Sequence, residues 1–314
     1  HLIHHTERIR VNDTCISLAD WERIYDQYEG LFSLHKMTMF EMDLWMSLAY
    51  FIEQKVDYCI IEAGMGGRLD ATTALDYKAC LITNVGLDHT EYLGDTFEQI
   101  AYEKSGIFKP NVPALTTEDK PECRKVMKLV ADYMNTPLCF IDCQETDVLR
   151  WNGMTFHLNP PLYQAKNLSL ALETLNVLGI WLEENEIQEV IDHFQWAGRF
   201  MVLRKAPLVL LDGAHNVHGI TALIHALKNF HGKIYFSVLK EKDAPHMIEL
   251  LQTISKDITL VEISSARLYP LEKLGYPIIT VDELISRLLD TKEDSLLCGS
   301  LYYVGEVLEK WGNV

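Results

Sequence analysis

The chain of 314 residues has no apolar run approaching the ~20 residues that would span a bilayer. Its start, His1-Leu2-Ile3-His4-His5, has no apolar segment of the signal-peptide kind. Its seven cysteines are scattered, with no CxxC pair and no zinc spacing, so neither a disulfide framework nor a structural zinc site is encoded. Cys59 and Cys80 fall in apolar runs, where a thiol is a small hydrophobe. A reducing cytoplasm is the expected location. Basic residues are outnumbered, 28 Lys and Arg against 45 Asp and Glu, for a net charge of −17. That excludes a general nucleic-acid footprint. Small anionic substrates stay open, because they need only local cations or helix N-termini. Internal repeats and low-complexity tracts are also absent.

Apolar residues make up 48% of the chain, enough for real cores. The length suggests two domains of about 100–200 residues each. Met37–Gln54 carries apolar residues at helical spacing. Tyr58–Ala63 and Ala79–Val85 read as buried parallel strands. Helices are expected over Thr96–Lys104, Pro121–Met134, Ala165–Gly179 and Asn185–Phe194. A hairpin is expected over Asp147–Leu158, turning at Asn152-Gly153. The pattern then restarts. Strands at Leu208–Leu211, Ile234–Val238, Ile258–Ile263, Tyr276–Val281 and Ser295–Cys298 alternate with helices at Ile220–Phe230, Pro245–Ile254, Asp282–Leu289 and Val304–Trp311. Such alternation predicts doubly wound α/β sheets, with the boundary near Trp196–Leu203.

Four clusters could carry chemistry. Glu62 closes one apolar run and opens Ala63-Gly64-Met65-Gly66-Gly67-Arg68-Leu69-Asp70. A carboxylate at a strand's carboxyl end can hold a hard cation, and the glycines let backbone N–H groups approach a ligand. The alternative is a hydrogen-bonded Glu beside a tight turn. A dinucleotide fingerprint fails here, because the position of its third glycine is Leu69. His89, in Gly86-Leu87-Asp88-His89-Thr90, also follows a strand; its imidazole could ligate a metal, oriented by Asp88, or be structural. Lys104 and Lys109 sit near a helix end, where a solvated lysine is the ordinary reading. Asp212-Gly213-Ala214-His215-Asn216 runs from a strand into a helix, as a nucleotide site or a capped turn would. Arg199 could reach a phosphate or be a linker arginine.

Taken in order, these segments resemble the folylpolyglutamate synthase and dihydrofolate synthase family of the Mur ligase superfamily. Glu7–Asn12 is similar to "ERIRING", Glu62–Thr72 to "EVGLGGRLDAT", Gly86–Thr90 to "GLDHT", and Glu103–Pro110 to "EKAGIIKP". Tyr163–Asn167 with Ala171 is similar to "YQxxNxxxA". Gly198–Phe200, Leu211–Asn216, Leu239–Asp243 and Gly299–Tyr302 have counterparts in the same order. The resemblance implies a Mur-ligase-like central ATP- and folate-binding domain over 1–197. It also implies a smaller Rossmann-like, glutamate-ligase domain over 198–314, with a hinge at Arg199. It implies Glu62 and His89 as magnesium ligands, and Lys104 as a lysine carbamylated to become a third, anionic ligand. Asn167, Arg199, Asp212 and Asn216 would contact ATP, with His215 near the phosphates and, like Lys104, catalytic.

The implied reaction phosphorylates a folate or dihydropteroate carboxylate with ATP. The amine of L-glutamate then displaces the phosphate to form an amide. No nucleic-acid or membrane partner is implied, and a monomer is the default. A muropeptide ligase of the same superfamily fits less well, because "GGRLDAT" and "YQxxN" belong to the folate branch. A non-catalytic homologue acting as a binding module is the reading from another class. Two departures stand out. Thr73 replaces the Asn of "DATN", and no G-x-x-x-x-G-K-[ST] phosphate loop occurs. His1-Leu2 resembles the end of the family's "SPHL", so the chain is expected to start beyond that loop and, as given, to bind Mg·ATP poorly and lack turnover.

Overall fold

A computed structural model describes residues 2–159, 161–227 and 230–312. They form two compact units. The first comprises Ile3–Gln144 and Ala165–Leu182; the second comprises Leu2, Glu145–Gln164 and the residues from Glu183 onward. The hairpin and the helix that precede residue 197 therefore pack with the C-terminal unit.

The first unit opens on a short antiparallel pair, β1 (Arg10–Val11) and β2 (Thr14–Cys15), followed by helices α1 (Leu18–His35) and α2 (Met39–Gln54). Ser17 caps α1, and Thr38 with Glu41 forms a capping box on α2. Helix α1 has no counterpart in the sequence reading; beside the buried Ile24, its core face is mostly aromatic. Trp21, Tyr25, Tyr28 and Phe32 recur at helical spacing, and Trp21 and Tyr25 stack at 5.5 Å. That stripe was the available signal.

A three-stranded parallel sheet follows, ordered β3 (Cys80–Ile82), β4 (Ala114–Thr116), β5 (Leu138–Phe140). Around it lie α3 (Thr90–Leu93), α4 (Phe97–Ser105), α5 (Pro121–Met134) and α6 (Gln164–Leu178). Thr96 and Gln99 box the start of α4, and Pro121 occupies the first turn of α5, where its missing N–H costs nothing. Cys80, Ile82, Ala114, Ile100, Ala101, Cys123 and Met127 share one core.

One expectation fails outright. Tyr58–Ala63 is not a strand, and Tyr58 and Ile60 are 66% and 88% exposed. An apolar run only offers pairing; a ladder partner has to accept it, and none does among the described residues.

The second unit contains the expected hairpin, β6 (Val148–Trp151) and β7 (Met154–His157), with Asn152 and Gly153 both at positive φ, as a type I′ turn demands. Helix α7 (Glu184–His193) packs on β7. The remaining elements are β8 (Met201–Lys205), β9 (Leu208–Leu211), α8 (Val217–Ala226), β10 (Lys233–Phe236), α9 (Ala244–Leu251), β11 (Ile258–Glu262), β12 (Ile278–Thr280), α10 (Val281–Asp290), β13 (Ser295–Cys298) and α11 (Leu301–Trp311). The six-stranded sheet has the order β12-β11-β10-β13-β9-β8, parallel except for β8, an edge strand that the boundary at Trp196–Leu203 left unread. Its strands bury both faces. Leu210, Phe236, Leu260 and Cys298 join α8 and α9 on one side, while Val209, Leu211, Tyr235 and Leu297 join α10 and α11 on the other. This is the doubly wound arrangement the alternation predicts.

Candidate functional site

In the first unit, the glycine-rich loop is built around Asp70. One carboxylate oxygen accepts from Gly64 N at 2.8 Å and Met65 N at 3.0 Å. The other accepts from Thr72 N at 3.0 Å and Thr72 Oγ1 at 2.7 Å. The loop then docks on the end of α4. Arg68 N donates to Glu103 O at 2.8 Å, and the Arg68 guanidinium grips the Glu103 carboxylate with Nε and Nη2. A Cβ on Gly67 would stand 2.8 Å from Lys104 O and 2.9 Å from Glu103 O, so only glycine permits this approach. Thr73 donates its hydroxyl to Gly67 O at 2.5 Å, so the residue that departs from the family pattern braces this loop.

Lys104 lies in the last turn of α4 and is partly buried. Burial holds its ammonium below the ordinary lysine pKa, and the nearby Asp88 carboxylate opposes that shift. The structure thus brings together the Gly67–Arg68 loop, Lys104 and Asp88. His89 is exposed, in left-handed backbone at φ 52°, with its N–H on Asp88 Oδ1 at 2.9 Å.

The expected strand-end settings of Glu62 and His89 are corrected. Glu62 follows an exposed, non-ladder segment, and β3 ends at Ile82, well before His89. Among the described residues, no group of three or more His, Cys, Asp or Glu side chains is arranged to hold a metal ion. Magnesium does not demand one. It is commonly held by one or two carboxylates plus substrate phosphates and waters. The carboxylates of Glu62 and Asp88 fit that mode, with the His89 imidazole as a borderline nitrogen donor beside them.

Asn167 also belongs to this unit, exposed on the first turn of α6. Its neighbour Lys166 pairs with Asp119 at 2.7 Å.

The other expected residues lie in the second unit, at the carboxyl end of its sheet. Asp212 leaves β9 and is 5% exposed. Its Oδ2 accepts from Phe200 N and its Oδ1 from Ala214 N, both at 2.7 Å. Burial raises its pKa above the usual carboxylate value, against those two N–H groups and the charges of Arg199 and His215. Asp212 thus ties the Gly198–Phe200 bend to the Gly213–Asn216 turn. Gly213 N adds a bond to Gly198 O at 2.7 Å. The Arg199 guanidinium lies over Gly213, where a Cβ would come within 2.9 Å of Nη1. His215 Nδ1 is 2.8 Å from Gly213 O; a carbonyl can only accept, so Nδ1 carries the proton. Asn216 Oδ1 accepts from Gly219 N at 2.7 Å and caps α8, which is why that helix starts at Val217 rather than Ile220.

Tyr163 was missed by sequence reasoning. Burial pushes its phenol up to about 12, within the fields of Asp212 and Arg199. Its place at the head of the Tyr163–Asn167 motif was the signal.

Against known proteins, the family described as Mur ligase middle domain matches residues 22–160. A dihydrofolate synthase/folylpolyglutamate synthase of Buchnera aphidicola (subspecies Acyrthosiphon pisum) is 31% identical, the match covering 98% of this chain and 80% of the relative. A crystal structure of a bifunctional folylpolyglutamate synthase/dihydrofolate synthase with Mn, AMPPNP and L-glutamate bound is 27% identical. It superposes with a TM-score of 0.87 over 99% of this chain and 81% of its own. Escherichia coli FolC in complex with DHPP and ADP is 27% identical, with a TM-score of 0.85 over 100% and 80%. With the loop motifs, the two-sheet α/β architecture and this end-to-end similarity in hand, the chain belongs to the folylpolyglutamate synthase/dihydrofolate synthase family.

Proposed function

We propose that the protein is an ATP-dependent ligase that joins L-glutamate to the carboxylate of a folate or of dihydropteroate. The γ-phosphoryl group of ATP passes to the acceptor carboxylate, giving an acyl phosphate and ADP. The glutamate amine attacks that carbonyl, the carbonyl–phosphate bond breaks, and an amide, phosphate and a proton result. The observation that carries this reading is the docking of the Gly64–Asp70 loop on the end of α4, which sets glycine backbone, Lys104 and Asp88 together. Relatives of this family bind an ATP analogue with manganese and glutamate in one case, and DHPP with ADP in another.

In this reading the first unit handles the phosphates and the acceptor. The Glu62 carboxylate and the His89 imidazole would hold a divalent cation, which neutralises phosphate charge when bound. The desolvated Lys104 amine spends more time neutral than an exposed lysine does, and the neutral amine is the form that adds carbon dioxide to become a carbamate. Asn167 recognises ATP. In the second unit, Arg199 presents a guanidinium to an anion. Asp212 shapes the Gly213–Asn216 turn, and His215 stands near the phosphates. The functional domains proposed are 1–197 for ATP and folate and 198–314 for the glutamate step, in a monomer. Among the described residues, no helix is long and apolar enough to cross a membrane.

The test, made on the full-length protein, is glutamate- and acceptor-dependent release of phosphate from ATP, comparing dihydropteroate with a reduced folate. Turnover with either acceptor supports the reading, and the preferred acceptor names the activity. Glu62→Gln, which removes a charge but keeps the shape, is expected to abolish turnover. Near-normal rates in that variant would take Glu62 out of the site.

A further inference from the structure

The ladder of β3 ends at Ile82, yet the residues beyond it must deliver Asp88 and His89 to a fixed place. Side chains from the turn after β4 do that work. Thr117 Oγ1 donates to Thr83 O at 2.8 Å. Glu118 has no side-chain exposure at all. Its Oε2 accepts from Val85 N at 2.5 Å, while its Oε1 accepts from Lys120 N at 2.8 Å and Asp119 N at 3.1 Å. Lys120 Nζ lies 3.3 Å from Glu118 Oε1 and donates to Val85 O at 2.9 Å. Both polar groups of the Val85 backbone are therefore held, one by the acid and one by its counterion. The same turn reaches a second element, since Asp119 pairs with Lys166 at 2.7 Å, next to Asn167 on the first turn of α6.

A buried ion pair is a costly way to gain stability, since apolar side chains of similar volume often do as well or better. What it supplies is geometry. Both Glu118 oxygens accept directional bonds and Lys120 Nζ donates to Val85 O and faces Glu118 Oε1, and such a network locks its neighbours in place. We infer that Glu118 and Lys120 are positioning residues. They fix the Thr83–His89 segment, and through Asp119 the Asn167 turn, in one rigid arrangement.

The functional side of this inference rests on the ligase reading, so the test has two arms. Glu118→Gln cannot accept from Val85 and from the 119–120 turn at once. Turnover should fall about 10- to 100-fold in kcat, the size expected when reacting groups are misplaced by about 1 Å. KM for glutamate should stay within about twofold, because no substrate contact is removed. Amide hydrogen exchange of residues 85–90 should rise by about tenfold or more, with β13 unchanged. Lys120→Met keeps the backbone bonds of Glu118 and loses the grip on Val85 O together with the charge facing Glu118 Oε1. It is expected to show the same pattern more weakly, and it serves if Glu118→Gln does not fold. Wild-type kcat in both variants, or an exchange increase spread evenly over the whole first unit, overturns the proposal. A full-length wild-type protein without turnover, but with exchange changes confined to 85–90, would sink the ligase reading and leave the clamp standing.

Discussion

The two sheets of this molecule solve the same problem differently. In the six-stranded sheet, consecutive residues of a strand enter opposite cores, so Val209, Leu210 and Leu211 are all buried. In the three-stranded sheet, Leu81, Leu115 and Cys139 stand in one row across the strands, and only the central Leu115 is buried. Leu81 is 40% exposed. The neighbouring rows, Cys80–Ala114 and Ile82–Thr116, are buried. One sheet is thus buried on both faces along its inner strands, and the other leaves one face exposed at the strands flanking Leu115. Parallel strands are normally covered on both sides. The six-stranded sheet therefore buries consecutive residues of its inner strands, while the loops of the three-stranded one are held by side-chain bonds such as those of Asp70 and Glu118.

The sharpest way to break this comparison is a matched pair of truncations. Leu297→Ala opens a cavity in a strand covered on both faces, and should cost about 3 kcal/mol or more. Leu81→Ala removes a side chain that already meets water, and should cost about 1 kcal/mol or less. Urea unfolding of both variants checks this. Equal losses would mean that the open row is covered in solution.

A smaller effect is expected at Asp212. Asp212→Asn keeps the size but can accept from only one of Phe200 N and Ala214 N, a loss of about 1–3 kcal/mol for the orphaned amide. The pH dependence has a definite sign. Burial raises the folded pKa of Asp212 above 3.8, so the folded state holds this proton more tightly than the unfolded state does. Its titration contributes stability that is fully present below pH 3.8 and is lost as pH rises through the folded value. The variant has no such titration. The advantage of wild type over Asp212→Asn should therefore shrink as pH climbs through that window. A constant difference from pH 3 to pH 6 would show that Asp212 is not desolvated.

The second unit was almost fully legible in the sequence, and the contrast between the sheets explains why. Strands buried on both faces are written as short apolar runs such as Leu208–Leu211 and Ser295–Cys298, and helices of ordinary length separate them. Asn152-Gly153 announced its turn because only a few residues accept positive φ. In the first unit the same rule misled. Tyr58–Ala63 has the composition of a buried strand and lies outside the sheet, because composition records burial potential and not the partner. The candidate site was legible wherever backbone chemistry limits the residue, as at Gly67 or Asp212. Glu118 and Tyr163 escaped because their surroundings come from residues far along the chain.

The cysteines offer the mildest test, one that leaves the fold undisturbed. Cys59 is exposed within the Tyr58–Ala63 run, while Cys80, Cys123 and Cys298 are buried. Burial also pushes the Cys80 thiol up to about 11 and the Cys123 thiol up to about 12, so neither forms much thiolate near neutrality. Brief alkylation of the native protein at pH 8 should therefore modify Cys59 and spare those three. Cys59→Ser should shift stability by less than about 0.5 kcal/mol, as a surface change does. Were Cys59 as slow to react as Cys80, the run would be paired and covered in solution. The first unit would then possess the fourth buried strand that its sequence suggests, and the contrast between the two sheets would narrow to the faces of Leu81 and Cys139.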